Sequence, residues 1–395
     1  MKLLVHSSLA YSLINFRGAL LRALVAAGHE VVATAPDRDP EIERELARIG
    51  VGFEPVPMAR ASISPLRDCM TLAAYMRLMR RHRPHAVIAY TQKPIIYGGL
   101  AARLAGRSRF HVLMSGLGYV FSDEARHRVL LRRLVSMVYR QGVHAARTIF
   151  VFNSDDRSEM LRNRIISERH YVVQVSGSGV DTTHFAARPL PDGPPVVLMI
   201  ARLMRDKGVY EFVEAARRVK AAMPEVRFQI LGRRDHENPT AVSEAECRNW
   251  ANAGLVEILP ETRDVRPHLA ASSLFVLPSF HREGLPRTIL EALATGRPVV
   301  TTDLPGCRDA IVEGENGRLV PPRDPEALAG AILETLADPD ALLRMATAAR
   351  RSAERSYDVH DVNAALLACM RLSRCESVVS PKSAPIPSPL VRTAQ

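Results

Sequence analysis

Tryptophan occurs once in this 395-residue chain, aromatic side chains make up 5%, and only five of its 53 basic residues are lysine. So few rings, not interleaved with the arginines, leave no stacking platform for nucleic acid. No zinc-finger, RNP-like or helix-turn-helix pattern accompanies the positive charge, which excludes nucleic acid as the expected partner. The five cysteines (Cys69, Cys247, Cys307, Cys369, Cys375) are odd in number, scattered and without C-x-x-C spacing. That pattern argues against a disulfide framework or zinc site and for a reducing cytoplasm. The thirteen histidines form no H-x3-H or H-E-x-x-H group, and His82 and His85 read as solvated. No apolar run reaches the ~18 residues of a membrane span. The opening MKLLVHSSLAYSLINFRG is broken by His6, Ser7 and Ser8 and reads as a buried strand rather than a signal peptide.

Arginine is what the chain has in excess, and it is unevenly placed. Residues 1–190 carry 27 basic and 15 acidic side chains, and residues 191–395 carry 26 and 27. Most of the surplus lies in residues 51–150, with 16 basic against 4 acidic. An apolar share of 47% and a mean hydropathy of −0.04 indicate a globular protein, and the length suits two domains. Short apolar runs alternate with helical periodicities, the mark of parallel sheets with crossover helices. Strands are expected at 2–6, 30–35, 86–90, 110–114, 149–152 and 171–175. A second series is expected at 196–200, 227–231, 256–259, 274–277, 298–302 and 318–320. Helices are expected at 16–27 (closed by Gly28), 41–49, 66–82, 94–105 and 126–145. The Pro-rich stretch 188–195 reads as a linker. The expected division is domain 1–187, domain 195–350, a helix at 351–375 packing back on the first domain, and a disordered tail at 376–395.

The most specific local pattern is HREGLPRTILEALATGRP, running from His281 to Pro298. A strand passes through a short loop into a helix, so Gly284 and free N–H groups stand at a helix N-terminus, where phosphate binds well. Glu283 and Glu291 are eight residues apart, a little over two turns, and both can face one cleft; a dipole-favouring Glu283 and a solvated Glu291 are the plainer readings. Arg202 and Lys207 follow the first strand of the second half, in a strand-to-helix loop suited to a diphosphate. A surface charge pair around Asp206 is the alternative. The two D-x-D sequences, Asp37-Arg38-Asp39 and Asp338-Pro339-Asp340, stand before helices, where Asp is an ordinary cap, so neither is read as a metal site.

The segments VVLMIARLMRDKGVYEFVEAA, FQILGRRDHENPTAVSEAE and LFVLPSFHREGLPRTILEALATGRPVVTTDLPGCRDAIVEGENGRLVPPRDPEAL resemble glycosyltransferase family 4. The resemblance is close over residues 170–345 and looser over 1–170. It extends to bacterial enzymes building lipid-linked or exported polysaccharide, including N-acetylgalactosaminyltransferases acting on undecaprenyl-diphosphate sugars. It implies an α/β fold of the GT-B type, two facing Rossmann-like domains around a deep cleft. It further implies a retaining, metal-independent transfer of a hexose or N-acetylhexosamine from a nucleotide sugar, with no cofactor. Arg202 and Lys207 would hold the donor diphosphate and stabilise its departure, Glu283 would stand by the sugar, and Glu291 would bind the ribose. Gly284 and Leu285 would offer backbone contacts, Gly232 would be a further donor contact, and the segment 258–265, with Pro260 and Val265, would hold the base, expected to be uracil. A departure stands in the first domain, where HVLMSGLGY (residues 111–119) has no histidine beside its glycine turn. No catalytic base is assigned.

The acceptor is expected in the first domain. Asn15 and Arg17 in the loop after the first strand, Lys93 after the third, and Ser115 and Gly116 are the candidate contacts; Asn15 reads equally as a helix cap. The basic helices 66–83 and 126–147 are the candidate membrane surface. On a helical wheel Arg126, Arg128, Arg132, Arg133 and Arg140 share one arc, and Leu130, Leu131, Leu134, Val135, Met137 and Val138 the other. That suits either a core-packing helix with a solvated back or attachment to anionic lipid, as a polyprenyl-diphosphate acceptor on the inner face of the cytoplasmic membrane requires. A GT-B sugar-nucleotide epimerase and a non-catalytic membrane scaffold are the competing functions.

Overall fold

The computed structural model describes residues 1–59, 64–106, 108–117, 119–121, 129–234, 238 and 240–373. The expected tail 376–395, Gly118, and Arg126 and Arg128 of the second basic helix lie outside the described residues. In the first domain, β1 (Lys2–His6), β2 (Glu30–Ala35), β3 (Val51–Pro55), β4 (Ala86–Tyr90), β5 (Arg109–Met114), β6 (Ala146–Val151) and β7 (Val172–Gln174) make a seven-stranded sheet, order β3-β2-β1-β4-β5-β6-β7. In the second, β8 (Val196–Ile200), β9 (Arg227–Leu231), β10 (Glu257–Leu259), β11 (Leu274–Leu277), β12 (Val299–Thr302) and β13 (Gly317–Val320) make a six-stranded sheet, order β10-β9-β8-β11-β12-β13. The named strands pair in parallel throughout. Strand order reverses between β1 and β4 and between β8 and β11, and each switch opens a crevice at the strands' carboxyl ends. Edge strand β3 is absent from the expectations because Gly52 and Glu54 interrupt its apolar run.

The helix expected at 16–27 begins only at Gly18, as α2 (Gly18–Ala26), and an unexpected helix, α1 (Ala10–Asn15), precedes it across the break at Phe16-Arg17. Part of the expected loop is therefore helical. The start of α1 is capped from outside, since the Ala10 N–H donates to both carboxylate oxygens of Asp37 at 2.9 and 3.1 Å. The helices α3 (Pro40–Arg48), α4 (Pro65–His82), α5 (Gln92–Ala105), α6 (Val129–Val143) and α7 (Ser154–Arg162) complete the first domain.

Helices α5 and α6 touch backbone to backbone, because a Cβ on Gly99 would lie 2.0 Å from the Gly142 carbonyl oxygen. That contact belongs to the carboxyl half of α6, whose buried residues are Ser136, Tyr139, Gly142 and Val143. Its amino half stands away from the core, with Leu130 80% exposed and Val129, Leu134 and Met137 half-exposed. Leu130, Leu134 and Met137 of the apolar arc of α6 are thus turned to solvent, while Val135 and Val138 pack against the core. Leu66 and Met70, at the amino end of α4, are exposed as well. Among the described residues no helix is long and apolar enough to cross a membrane.

The second domain adds α8 (Val209–Ala222), α9 (Glu244–Asn252), α10 (Arg266–Ala270), α11 (Arg287–Ala294), α12 (Pro325–Ala337) and α13 (Pro339–Ser356). Helix α13 buries Leu342, Ala349 and Ala353 in the second core. The chain returns to the first domain only after Tyr357, so a boundary at 350 cuts through a continuous helix. Beyond it, α14 (Val359–Met370) sets Val362, Leu366, Leu367 and Met370 among Leu20, Leu21 and Leu24.

Candidate active site

The β8 loop and the end of β11 are pressed together by Gly208, whose φ is +78° and whose Cβ would lie 2.1 Å from the Pro278 carbonyl oxygen. A side chain there is excluded both by the left-handed backbone and by the contact. The approach brings Lys207 to Glu283, whose Oε1 accepts from Nζ, with both side chains mostly buried. Ser279 Oγ reaches the same oxygen at 3.0 Å. Burial acts to raise the Glu283 carboxyl, but Lys207, His281 and Ser279 outweigh it and hold it below its ordinary value. His281 Nδ1 lies 3.3 Å from Asp206 Oδ2. Burial lowers the imidazole, Lys207 and Arg202 add to that, and Glu283 and Asp206 oppose it. Arg202 stands exposed on the same loop. Lys207 and Glu283 therefore meet at one mouth of the cleft, with His281 beside them and Arg202 within electrostatic reach of its imidazole.

Glu291 is buried on α11, not solvated; Arg287 Nε donates to its Oε1 at 2.8 Å. Burial raises this carboxyl, with Arg287 opposing. A pocket of about 530 Å³ opens nearby, lined by Leu203, Gly232, Cys247, Ile258, Leu259 and Glu261 among others. Pro260 stands between two of these lining residues. Val265, expected at the base, instead turns into the second core where α10 begins.

Gly284 serves a different end from open backbone contact. A Cβ there would lie 2.4 Å from the Ser115 carbonyl oxygen, and one on Gly116 would lie 3.3 Å from Gly284 N. Ser115 and Gly116 are therefore filled by the facing loop and are not an open acceptor surface. Leu285 is buried against Gly177. Lys93 Nζ donates to Asp68 Oδ1 at 2.6 Å in a mostly buried pair. Asn15 ends α1, and neither flanking helix has it as a cap. Arg17, the residue before α2, is buried. His111 lies mid-strand, fully buried; burial, then Arg109 and Arg147, lower it to about 4. His82 is not solvated, since its Nε2 lies 2.6 Å from Glu54 Oε1. Both D-x-D sequences cap helices: Asp39 accepts from Glu41 and Ile42, and Asp338 from Asp340 and Ala341.

Sequence reasoning missed the dock for the donor loop. Asn153 Nδ2 donates to the Gly284 carbonyl oxygen at 2.8 Å. Arg282 approaches Asp156 at 3.7 Å and Glu159 at 3.6 Å, while Arg308 meets Asp155 at 2.7 Å. The signal available was the run Asn153-Ser154-Asp155-Asp156 directly after an apolar strand, which reads as a cap and gives no hint of a partner domain. Burial raises Asp156 to about 7, with Arg282 and Asn153 opposing. For a carboxyl raised in the folded state, the stabilising contribution is present below its unfolded value and is lost as pH rises through about 7. Asp156→Asn should therefore melt higher than the parent at pH 8 and converge with it near pH 5. Parallel melting curves across that range would refute the assignment.

Residues 16–176 match the Glycosyl transferase 4-like domain, and residues 194–338 match Glycosyl transferases group 1. The chain belongs to the family 4 glycosyltransferases. A relative of this glycosyltransferase, the N,N'-diacetylbacillosaminyl-diphospho-undecaprenol alpha-1,3-N-acetylgalactosaminyltransferase of Campylobacter jejuni, is 27% identical over 355 residues, 87% of this chain and 91% of that one. Among solved structures, sucrose-phosphate synthase from Thermosynechococcus elongatus superposes with a TM-score of 0.78 at 19% identity, covering 94% of this chain and 98% of that one. Anabaena HepE, solved with UDP, gives 0.74 at 19% identity, covering 94% and 100%. The fold of this glycosyltransferase is GT-B, and its cleft lies between the two Rossmann-like sheets.

Proposed function

We propose that this glycosyltransferase moves a hexose or N-acetylhexosamine from a UDP-sugar to a saccharide carried on a polyprenyl diphosphate, with retention of configuration and without metal or cofactor. The observation that carries the reading is the mostly buried Lys207–Glu283 pair at the second switch point, with Glu291 buried on the helix that follows. Fixed cations there suit a leaving diphosphate, which gathers negative charge as it departs. Arg202 and Lys207 offset that charge, Glu291 accepts from the ribose hydroxyls, and the pocket at Gly232 and Ile258 takes the base. The bond between the anomeric carbon and the diphosphate breaks. The acceptor hydroxyl oxygen bonds to the same face, and its proton leaves on the diphosphate. The caps at Asp39 and Asp338 already employ the D-x-D carboxylates, which supports a metal-free reading. The Campylobacter relative's undecaprenol-linked acceptor supports the lipid carrier.

A donor screen by nucleotide release, run with crude polyprenyl-linked acceptors, tests the reaction. UDP release that needs the lipid fraction is the expected result, and release or epimerisation with donor alone would count against it. Glu291→Ala should weaken UDP binding ~10-fold or more, because its buried carboxylate makes charge-assisted hydrogen bonds; unaltered affinity sinks the ribose assignment.

The acceptor's carrier calls for a peripheral enzyme on the inner face of the cytoplasmic membrane. The exposed Leu130, Leu134 and Met137, beside Arg133 and Arg140, supply apolar insertion with basic flanks. Leu130→Ser with Leu134→Ser should release the enzyme from anionic liposomes in flotation while its melting temperature holds. Full flotation of the double variant contradicts this surface.

A further inference from the structure

A buried cation without an anion faces the cleft from the first domain. Arg17 directly precedes α2 and is 3% exposed. Its guanidinium carbon lies 5.1 Å from the Tyr90 ring centre and 5.5 Å from that of Phe152. The Tyr90 hydroxyl is fixed 3.0 Å from Ser12 Oγ, itself 2.8 Å from Ser7 Oγ, so the ring beneath Arg17 is held in place. Among the described residues no carboxylate pairs with Arg17, and its buried Nε has no hydrogen-bond partner. Burial lowers the guanidinium to about 10, Tyr90 opposes that, and Arg287 of the facing domain adds to it. The charged neighbour across the gap is therefore a second arginine, itself paired through Nε with Glu291 at 2.8 Å. Arg287 also lies 5.8 Å from the ring of Phe16, the residue next to Arg17. Helix α2 begins on Gly18 with no side-chain cap and no acid in its first turn. Two arginines and an uncapped helix start thus converge where an unpaired buried charge is costly.

We propose that Arg17, the first turn of α2 and Arg287 form a clamp across the cleft that takes a phosphate or diphosphate group. The planar guanidinium forks match phosphoryl oxygens, and an anion brought against Arg17 removes the cost of burying its charge unpaired. Which molecule carries the group, the nucleotide sugar or the lipid-linked acceptor, rests on the function proposed above. The chemistry of the group does not.

Inorganic pyrophosphate, UDP and farnesyl diphosphate titrated calorimetrically into the full-length enzyme and its Arg17→Met and Arg17→Gln variants test the clamp. Pyrophosphate affinity should fall ~10-fold or more in both variants. Without ligand, Arg17→Met should melt no lower than the parent, because a lone buried charge has been removed. Weakened UDP with unchanged farnesyl diphosphate gives the group to the donor, and the converse gives it to the acceptor. Pyrophosphate carries neither nucleotide nor lipid, so its loss supports the clamp even where no UDP-sugar or polyprenyl substrate turns over. Unaltered affinity for all three probes in whichever variant folds makes Arg17 a packing residue and overturns the proposal.

Discussion

Lys207→Ala is expected to lower kcat/KM by ~10³-fold, equivalent to ~4 kcal/mol of transition-state stabilisation. The loss should fall mainly on kcat, because charge builds on the departing diphosphate as the bond breaks. The variant also strands Glu283, whose carboxyl Lys207 and His281 hold below its ordinary value against burial. A carboxyl depressed in the folded state lends stability above its unfolded value of 4.5, and that contribution is lost as pH falls through the folded one. Lys207→Ala should therefore melt below the parent at pH 7 and approach it in acid. Lys207→Arg, which keeps the charge, should recover part of kcat. Wild-type turnover in the alanine variant would falsify the diphosphate assignment, and an equal melting deficit at pH 4 and pH 7 would remove the electrostatic account of the pair.

The second large effect is expected from one methyl group. Gly284→Ala places a Cβ 2.4 Å from the Ser115 carbonyl oxygen, well inside any tolerated contact, and the clash is with backbone in the opposite domain. Each sheet can keep its own core, so the domains should part rather than unfold. Lost with the approach are the Asn153 bond to the Gly284 carbonyl oxygen and the alignment of Arg282 with Asp156 and Glu159. A displacement near 1 Å at a reacting centre costs ~100-fold in rate. Gly284→Ala should accordingly lose kcat/KM on that order while its melting temperature moves little, with a larger radius of gyration by small-angle scattering. Wild-type rate with an unchanged scattering profile would show that the closed contact is not needed for transfer.

The sequence alone made the two sheets visible. Runs such as Ala86–Tyr90 and Val196–Ile200 are buried along their whole length, which only a strand covered on both faces requires, so their unbroken apolar character announces parallel sheets. Edge strand β3 stayed hidden because one partner and partial exposure allow Gly52 and Glu54. On the donor side, the meeting of Lys207 and Glu283 was legible because each stands in the short loop after a strand at a switch point, where local chain geometry already sets it at the sheet's carboxyl edge.

The acceptor-side candidates fared differently, and for one reason. Lys93, Ser115 and Gly116 also follow strands at the crevice, but what they do depends on residues far away in the chain: Asp68 takes the lysine, and Gly284 takes the glycine turn. The same holds for α6, whose wheel of leucines and arginines is equally a core helix or a surface one. The Gly99–Gly142 contact decided which half of it is covered. The sequence by itself determined what is local: the strands, the phosphate-suited loops and the address of the +11 charge in the first half of the chain. Only the tertiary structure decided which charges are already neutralised and which, like Arg17, are buried without a partner, because pairing depends on distance in space and not on spacing along the chain.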